Sequence, residues 1–305
     1  MHYTLSVSSL LFLLVSACGT DPDPPTCAEG QLLDGEQCVS EACGTGTWGN
    51  LETDGDTIYV DGTAQSGGDG SMDRPFAGIQ EGLDAQGKDG MVAVAAGTYV
   101  ENLQVSSDHS GAHLAGRCRE LVTIDGREGS EENWAEGCGI YLEQTAMAGH
   151  WTVSGLTLTG ASWLGVLQVG GTLELDRVAS VDNRVRGITV EYGTLTATDC
   201  LVSGNHAAGV VASGAEATLD GLEILDTQPH SDGEGGYGIV SIDGSTVVAS
   251  DCTVQGNHGY GVMVSYESSL TLQDGQVLDT LQEEDGRYGH GIEVAEDSTL
   301  TAIDC

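Results

Sequence analysis

The sequence predicts an all-β solenoid, in which short strands stack in successive coils. From residue 165 onward, the chain divides into six segments that each open on glycine followed by an apolar residue. Within the segments, apolar residues alternate over short runs such as Gly-Ile-Thr-Val and Thr-Leu-Thr-Ala, which is the period of a strand with one buried face. Strands this short cannot bury a core alone, so stacking must bury it. The opening glycines are Gly165, Gly187, Gly209, Gly238, Gly261 and Gly291.

A helix is predicted upstream of the repeat. Phe76, Ile79 and Leu83 lie on one helical face, Pro75 suits a first turn, and Gly87 suits the residue after the last turn. We expect this helix to cover the open end of the solenoid.

These patterns together resemble the right-handed parallel β-helix of the pectate-lyase-like superfamily. The stretch IYVDGTAQSGGDGSMDRPF, which begins at Ile58, is similar to the domain of unknown function that opens many bacterial β-helix proteins. The resemblance implies a right-handed parallel β-helix over residues 58–305 with an N-terminal capping helix. It is specific for the fold and implies little about activity.

The last residue, Cys305, falls halfway through a coil. An uncapped coil exposes apolar core and unpaired strand edges. The sequence therefore predicts either a truncated product or an end that another subunit covers.

The first residues predict export and a lipid anchor. The apolar run Leu10–Val15 is too short to span a bilayer, which takes roughly 20 residues, but suits a secretory signal. The stretch VSAC resembles a bacterial lipobox, which implies a signal peptide over residues 1–17, lipid on Cys18, and a tether and neck over residues 18–57. The predicted location is the cell envelope, on the outer membrane. An ordinary signal peptide with a chance cysteine is the alternative.

Export places the other eight of the nine cysteines in a compartment that permits disulfides. Cys27, Cys38 and Cys43 fall in the short neck, where Cys27 with Cys38 is the preferred pair and Cys43 is left unassigned. Cys118 and Cys138 are candidates to pair across the loop between them, and the sequence leaves this connectivity open.

Aligning the coils indicates that the later cysteines are structural. Cys200, Cys252 and Cys305 share one position with Val178, Leu222 and Gly275, which predicts a buried site for a small or apolar side chain. Cys200 and Cys252 are two coils apart, roughly 10 Å at the strand spacing of ~4.8 Å, beyond the reach of a disulfide. A zinc site is disfavoured because the following histidines lie beyond the next turn.

A second aligned position carries Asn183, Asn205 and Asn257, with Thr227 and Thr280 in the other two coils. These asparagines are predicted to form a ladder that hydrogen-bonds the backbone of neighbouring coils.

Two long loops, DTQPHSDGEGGYG from Asp226 and DTLQEEDGRYGHG from Asp279, should protrude from one flank of the solenoid. Clustered carboxylates could hold calcium, although neither loop has the spacing of an EF-hand, and solvated acidic loops are the alternative. A column of Asp251, Asp274 and Asp304 is a weaker cation candidate. The candidate binding or metal residues of the loops are Asp226, Asp232, Glu234, Asp279, Glu283, Glu284 and Asp285.

Charge limits the partners. The formal net charge is −38, which disfavours nucleic acid and makes calcium the one candidate cofactor. The predicted function is therefore binding of a glycan or a surface protein by the acidic flank, without evident catalysis. A polysaccharide lyase or glycoside hydrolase is the alternative. Gly289-His290-Gly291 matches a hydrolase triplet, but its companion motifs are missing, and Arg184 with Arg186 is the only basic pair in a regular coil.

Overall fold

The computed structural model describes residues 27–28, 30–35, 37–130, 132–133, 135–143, 149–282, 286 and 288–305. These residues form 28 strands, the α-helix α1 (Ile79–Gln86), and two short 3₁₀ helices at Glu41–Cys43 and Ser107–His109. In chain order the strands are β1 (Gln31–Asp34), β2 (Gln37–Ser40), β3 (Ile58–Val60), β4 (Met91–Val94), β5 (Gly97–Tyr99), β6 (Leu103–Val105), β7 (His113–Gly116), β8 (Val122–Asp125), β9 (Ile140–Glu143), β10 (His150–Ser154), β11 (Thr157–Thr159), β12 (Leu164–Val169), β13 (Thr172–Asp176), β14 (Ala179–Val181), β15 (Arg186–Glu191), β16 (Thr194–Thr198), β17 (Leu201–Ser203), β18 (Ala208–Ser213), β19 (Glu216–Asp220), β20 (Glu223–Leu225), β21 (Tyr237–Ile242), β22 (Thr246–Ser250), β23 (Thr253–Gln255), β24 (Tyr260–Val264), β25 (Ser269–Gln273), β26 (Gln276–Leu278), β27 (His290–Val294) and β28 (Thr299–Ile303).

Three long sheets form the solenoid. Sheet A has ten strands in the spatial order β3-β4-β7-β10-β13-β16-β19-β22-β25-β28. Sheet B has eight, β5-β8-β11-β14-β17-β20-β23-β26, and sheet C has eight, β6-β9-β12-β15-β18-β21-β24-β27. Successive strands of each sheet lie one coil apart in the chain and pair in parallel, as in β12 with β15 and β15 with β18. The predicted parallel β-helix is therefore confirmed. Among the residues that the structure describes, no helix has the length and apolar character of a membrane span.

The predicted helix is present, but it begins at Ile79 and not near Pro75. Phe76 instead bridges to Val60 beside sheet A. The carboxylate of Glu101 accepts hydrogen bonds from the first two amides of the helix at 2.8 and 2.9 Å, which stabilises its N-terminus. The helix packs on β3, β4 and β6 and buries Ile79 and Leu83 in the main core.

The core is one continuous column of inward side chains. Cys200 and Cys252 are each 1% exposed and belong to it, as predicted. Their thiols donate to the carbonyl oxygens of Thr198 and Ser250 at 3.3 and 3.2 Å. Burial raises the pKa of each thiol to about 11. Cys305, the last residue of the sequence, is exposed, but its thiol donates to the carbonyl oxygen of Ile303 at 3.1 Å, as the other two thiols do at their equivalent positions.

The asparagine ladder is present and fully buried. The Oδ1 atom of Asn205 accepts from the backbone N–H of Asn183 at 3.0 Å, and its Nδ2 donates to the carbonyl oxygen of Ser180 at 2.7 Å. Asn257 makes the equivalent pair with the N–H of Thr227, at 3.0 Å, and the carbonyl of Ile224, at 3.0 Å. Each asparagine thus satisfies backbone groups that the turn of the preceding coil leaves unpaired.

The neck is joined to the solenoid by a disulfide that differs from the expectation. Cys27 bonds to Cys38, the preferred pair, but Cys118 bonds to Cys43, so the candidate Cys118–Cys138 pair is wrong. The cause is Arg117, whose guanidinium is buried against the neck. It donates to the carbonyl oxygens of Cys43 and Gly44 and pairs with Asp34, which brings Cys43 beside Cys118. Cys138 lies elsewhere, buried in a small cluster with Tyr141, Leu164 and Leu167.

Candidate binding groove

A groove of about 850 Å³ lies on the outer face of sheet C. Its floor is apolar because three consecutive strands carry aliphatic residues on their outward as well as their inward faces. Val211 pairs in register with Val240, and Val240 with Met263, while their inward neighbours enter the main core. Ala208, Val211 and Val240 form a separate apolar cluster with the half-buried Tyr237, Ile242 and Met263.

One wall of the groove is the first long loop, between β20 and β21. The loop folds back on itself where Pro229 bridges Gly235, and the N–H of His230 donates to the carbonyl of Glu234 at 2.8 Å. It is fixed to the preceding coil because the imidazole Nδ1 of His206 lies 3.0 Å from the carbonyl oxygen of Pro229. The corresponding turns of two earlier coils, together with the first residue of β15, add Ser162, Trp163, Arg184, Val185 and Arg186 to the lining.

Two of the predicted loop acids line this groove. The Oδ1 atom of Asp232 accepts from the N–H of Glu234 at 3.0 Å, and its Oδ2 lies 3.6 Å from Nδ1 of His230. The backbone hydrogen bond and the nearby imidazole hold the pKa of Asp232 below its ordinary value. Glu234 is an exposed lining residue. Glu283, Glu284 and Asp285 lie outside the described residues, as does the proposed lipidation site Cys18.

Asp226 and Asp279, the other predicted loop acids, do not line the groove; they form turns between sheets B and C. Their φ angles of +53° and +50° are left-handed, a conformation that aspartate tolerates better than most residues. The equivalent position in alternate coils is glycine, as at Gly204 and Gly256. A side chain at Gly256 would meet the Oδ1 atom of Asp226. The left-handed backbone is a sufficient reason for aspartate at both positions, without a ligand.

The weaker cation column has the same explanation. Asp251, Asp274 and Asp304 have φ angles of +51°, +51° and +53° at the first residue after a strand of sheet A, and Asp199 has +51° there. Aspartate is therefore favoured at this turn without any cation.

No calcium cage is assembled by the described carboxylates. The one cluster of three possible metal-binding side chains within the described residues is Cys43, Cys118 and Glu120, and its two sulfur atoms are joined in the disulfide. Asp232 and Glu234 bring carboxylates to the groove wall.

Arg186, at the start of β15, is a lining residue that the sequence marked only as half of a basic pair with Arg184. Its guanidinium lines the groove, and burial, partly opposed by the charge of Glu191, lowers its pKa. The described part of the chain offers it no ion pair. The apolar floor could also have been predicted from the sequence, because the strands AGVVAS, YGIVSI and YGVMV carry apolar residues on both faces.

A second groove, of about 1040 Å³, lies between the neck and the outer face of sheet A. Within it, Nε2 of His113 lies 2.8 Å from Oγ of Ser154, and burial lowers the pKa of this histidine. A serine nucleophile needs a base that is itself oriented by a third group. Among the described residues, no carboxylate is hydrogen-bonded to His113, so the pair joins two coils without completing such an arrangement.

Comparison with known proteins identifies the architecture. The family described as right handed beta helix region matches residues 138–305, which is more than half of the chain. Among solved structures, the pectate lyase Pel9A is similar over 82% of this chain and 78% of its own, with 15% identity and a TM-score of 0.47. Pectin methylesterase PemA from Erwinia chrysanthemi shares 11% identity over 82% of this chain and 91% of its own, with a TM-score of 0.49. The pectin methylesterase from carrot shares 14% identity over 83% and 85%, with a TM-score of 0.45. No curated protein matches the chain. At these identities the similarity concerns the fold and not the activity.

Proposed function

Because this chain belongs to the right-handed β-helix family, which fixes its architecture but not its activity, we propose that it is the binding module of a cell-envelope lipoprotein. Its ligand is a polypeptide segment of a partner protein, and its site is the groove on sheet C. Lipid on Cys18 would hold the module at the outer membrane, with residues 18–57 as tether and neck. The aliphatic floor of the groove is the observation that carries this proposal.

The floor favours protein over glycan as the ligand. Val211, Val240 and Met263 offer no hydrogen-bond partner, whereas a sugar presents hydroxyl groups that lose water on entering the groove. An extended polypeptide places side chains on alternate sides, so one apolar row can lie on the floor while the other faces solvent. A glycan is the second candidate, because the rings of Trp163 and Tyr237 also line the groove.

The loop acids have a supporting role in this proposal. Asp232 and Glu234 stand on the wall above an apolar floor, and a charged rim around an apolar centre is the usual arrangement of a protein interface. Calcium bridging between this wall and a ligand stays a secondary proposal. It predicts that a chelator weakens binding and that Asp232→Asn does the same.

Photo-crosslinking of the full-length chain in the cell that makes it tests the proposal. A benzophenone amino acid replaces Met263 on the floor or, as the matched control, Val248, which is 38% exposed on the outer face of sheet A. We expect a discrete polypeptide adduct from position 263 that is absent from position 248. The adduct should disappear when Val211→Asp places a charge on the floor, provided that this variant still folds as judged by circular dichroism. Equal adducts from both positions, or none from position 263, would refute a polypeptide ligand in this groove.

A further inference from the structure

The groove holds a charged side chain, that of Arg186, for which the described residues provide no ion-pair partner. Arg186 begins β15 and is flanked in register by Leu164 on one side and Ala208 on the other, both nearly buried. Its side chain lines the groove beside the apolar floor and is half-buried. Burying a charge without a partner opposes folding, so such a position calls for an explanation.

A shortage of carboxylates does not explain it. The chain has 47 acidic residues and nine basic ones, so nearly every arginine can find a partner. Arg184, which lines the groove beside Arg186, does have an interaction partner. Arginines of the described residues that pair with carboxylates include Arg74, Arg117, Arg119, Arg127 and Arg177.

One charged group that acts on Arg186 is Glu191, at the far end of the same strand. Its charge only partly offsets the effect of burial on the pKa of Arg186, and it makes no ion pair with the guanidinium. The donors of Arg186 are therefore available to a ligand that enters the groove.

We propose that Arg186 binds a carboxylate of the ligand, so that the segment recognised by the groove combines aliphatic side chains with a carboxyl group. This inference rests on the proposed function and specifies its ligand. The planar guanidinium can donate two parallel hydrogen bonds to a carboxylate, a geometry that lysine cannot reproduce. The apolar surroundings strengthen the pair because they exclude water.

The proposal requires that Arg186 weakens the ligand-free fold. Arg186→Met keeps an aliphatic stem of similar length and removes the charge, so we expect this variant to unfold at a higher urea concentration than the wild type. The matched control is Arg177→Met, where the exposed guanidinium is paired with Asp176, and this change should not stabilise. An Arg186→Met variant that unfolds at a lower urea concentration would mean that the fold already satisfies the guanidinium, and the proposal would be overturned.

Three short peptides test the ligand directly against the full-length protein. They are acetyl-Val-Leu-Val with a free carboxyl terminus, the same peptide as its C-terminal amide, and acetyl-Val-Asp-Val amide. A hydrogen-bonded charge pair contributes enough for the free acid to bind at least about tenfold more tightly than its amide. Arg186→Gln should equalise the two, while Arg186→Lys should retain only part of the difference.

The outcomes separate this inference from the proposed function. If the aspartate peptide binds tightly, the groove recognises a side-chain carboxylate. If the aspartate peptide does not bind while the free acid does, the groove recognises the carboxyl terminus of a chain. If the acid and the amide bind equally to the wild type, the apolar groove stands and the role of Arg186 is refuted. If neither binds and Arg186→Met does not stabilise, both are refuted.

Discussion

Replacing Thr227 by asparagine should stabilise the protein, because Thr227 interrupts the buried asparagine ladder. Its hydroxyl is buried and, among the described residues, has no hydrogen-bond partner. In an intact rung, Asn205 accepts from the N–H of Asn183 and donates to the carbonyl of Ser180. By the same offsets, an asparagine at position 227 would accept from the N–H of Asn205 and donate to the carbonyl of Val202.

The expected gain follows from these bonds. An unsatisfied buried hydroxyl costs about 1–3 kcal/mol, and each new buried hydrogen bond contributes about 0.5–1.5 kcal/mol. The space around Thr227 is limited, which reduces this gain. Its hydroxyl oxygen packs so closely against Gly209 that a Cβ atom built on that glycine would lie only 3.3 Å away. We therefore expect Thr227→Asn to raise the free energy of unfolding by about 2 kcal/mol. The reverse change, Asn205→Thr, should lower it by about 3 kcal/mol, since three hydrogen bonds to Asn205 are lost.

Urea unfolding measures the stability of both variants, provided that the slope of the unfolding free energy against urea concentration is the same as in the wild type. Amide hydrogen exchange provides the local control, because Thr227→Asn should slow exchange of the Asn205 N–H, whereas Glu223→Ala, an exposed change on the neighbouring strand β20, should not. Equal midpoints for the wild type, Thr227→Asn and Asn205→Thr would refute the reasoning that the ladder stabilises the turns.

Three further changes probe other parts of the structure. At pH 8, iodoacetamide should leave the thiols of Cys200 and Cys252 unmodified in the folded protein and modify both in guanidinium chloride, because burial raises their pKa to about 11; modification in the folded state would contradict their core position. Replacing Cys43 and Cys118 together by serine should lower the free energy of unfolding by about 4 kcal/mol, since the bond closes a loop with a sequence separation of 75 residues; an unchanged stability would mean that the neck is held by other contacts. Burial lowers the pKa of His113 from 6.5, so the unfolded chain takes up a proton that the folded chain does not. Stability should therefore fall as the pH drops below about 6.5. His113→Gln should flatten this dependence, and an identical pH profile of stability in the two proteins would disprove the role of His113.

The solenoid could be predicted from the sequence because its determinants are local and repeat. Period-two alternation and the opening glycines set the register, which in turn places Cys200, Cys252 and the ladder asparagines. The aspartates at the turns also repeat. Their pattern was visible, but a left-handed φ angle at Asp226 or Asp279 is a backbone property, and a loop rich in acids reads equally well as a metal site.

Features that depend on contacts between distant segments could not be predicted in this way. The disulfide between Cys43 and Cys118 follows from packing of the neck against Arg117, and no local sequence pattern predicts that contact. The groove needs both an apolar outer face on sheet C and a loop that folds beside it. That no described residue forms an ion pair with Arg186 depends on the positions of all the side chains around it, and no local pattern predicts them.

The most direct test of the central claim is the methyl NMR spectrum of the full-length protein, labelled at methionine, during titration with acetyl-Val-Leu-Val. Met263 lies on the proposed floor, Met91 lines the second groove, and Met72 is 52% exposed on the surface. A polypeptide site on sheet C predicts a saturable shift of the Met263 methyl signal, with those of Met91 and Met72 unchanged. A Met263 signal that stays in place, or three signals that move together, would contradict a polypeptide site on sheet C.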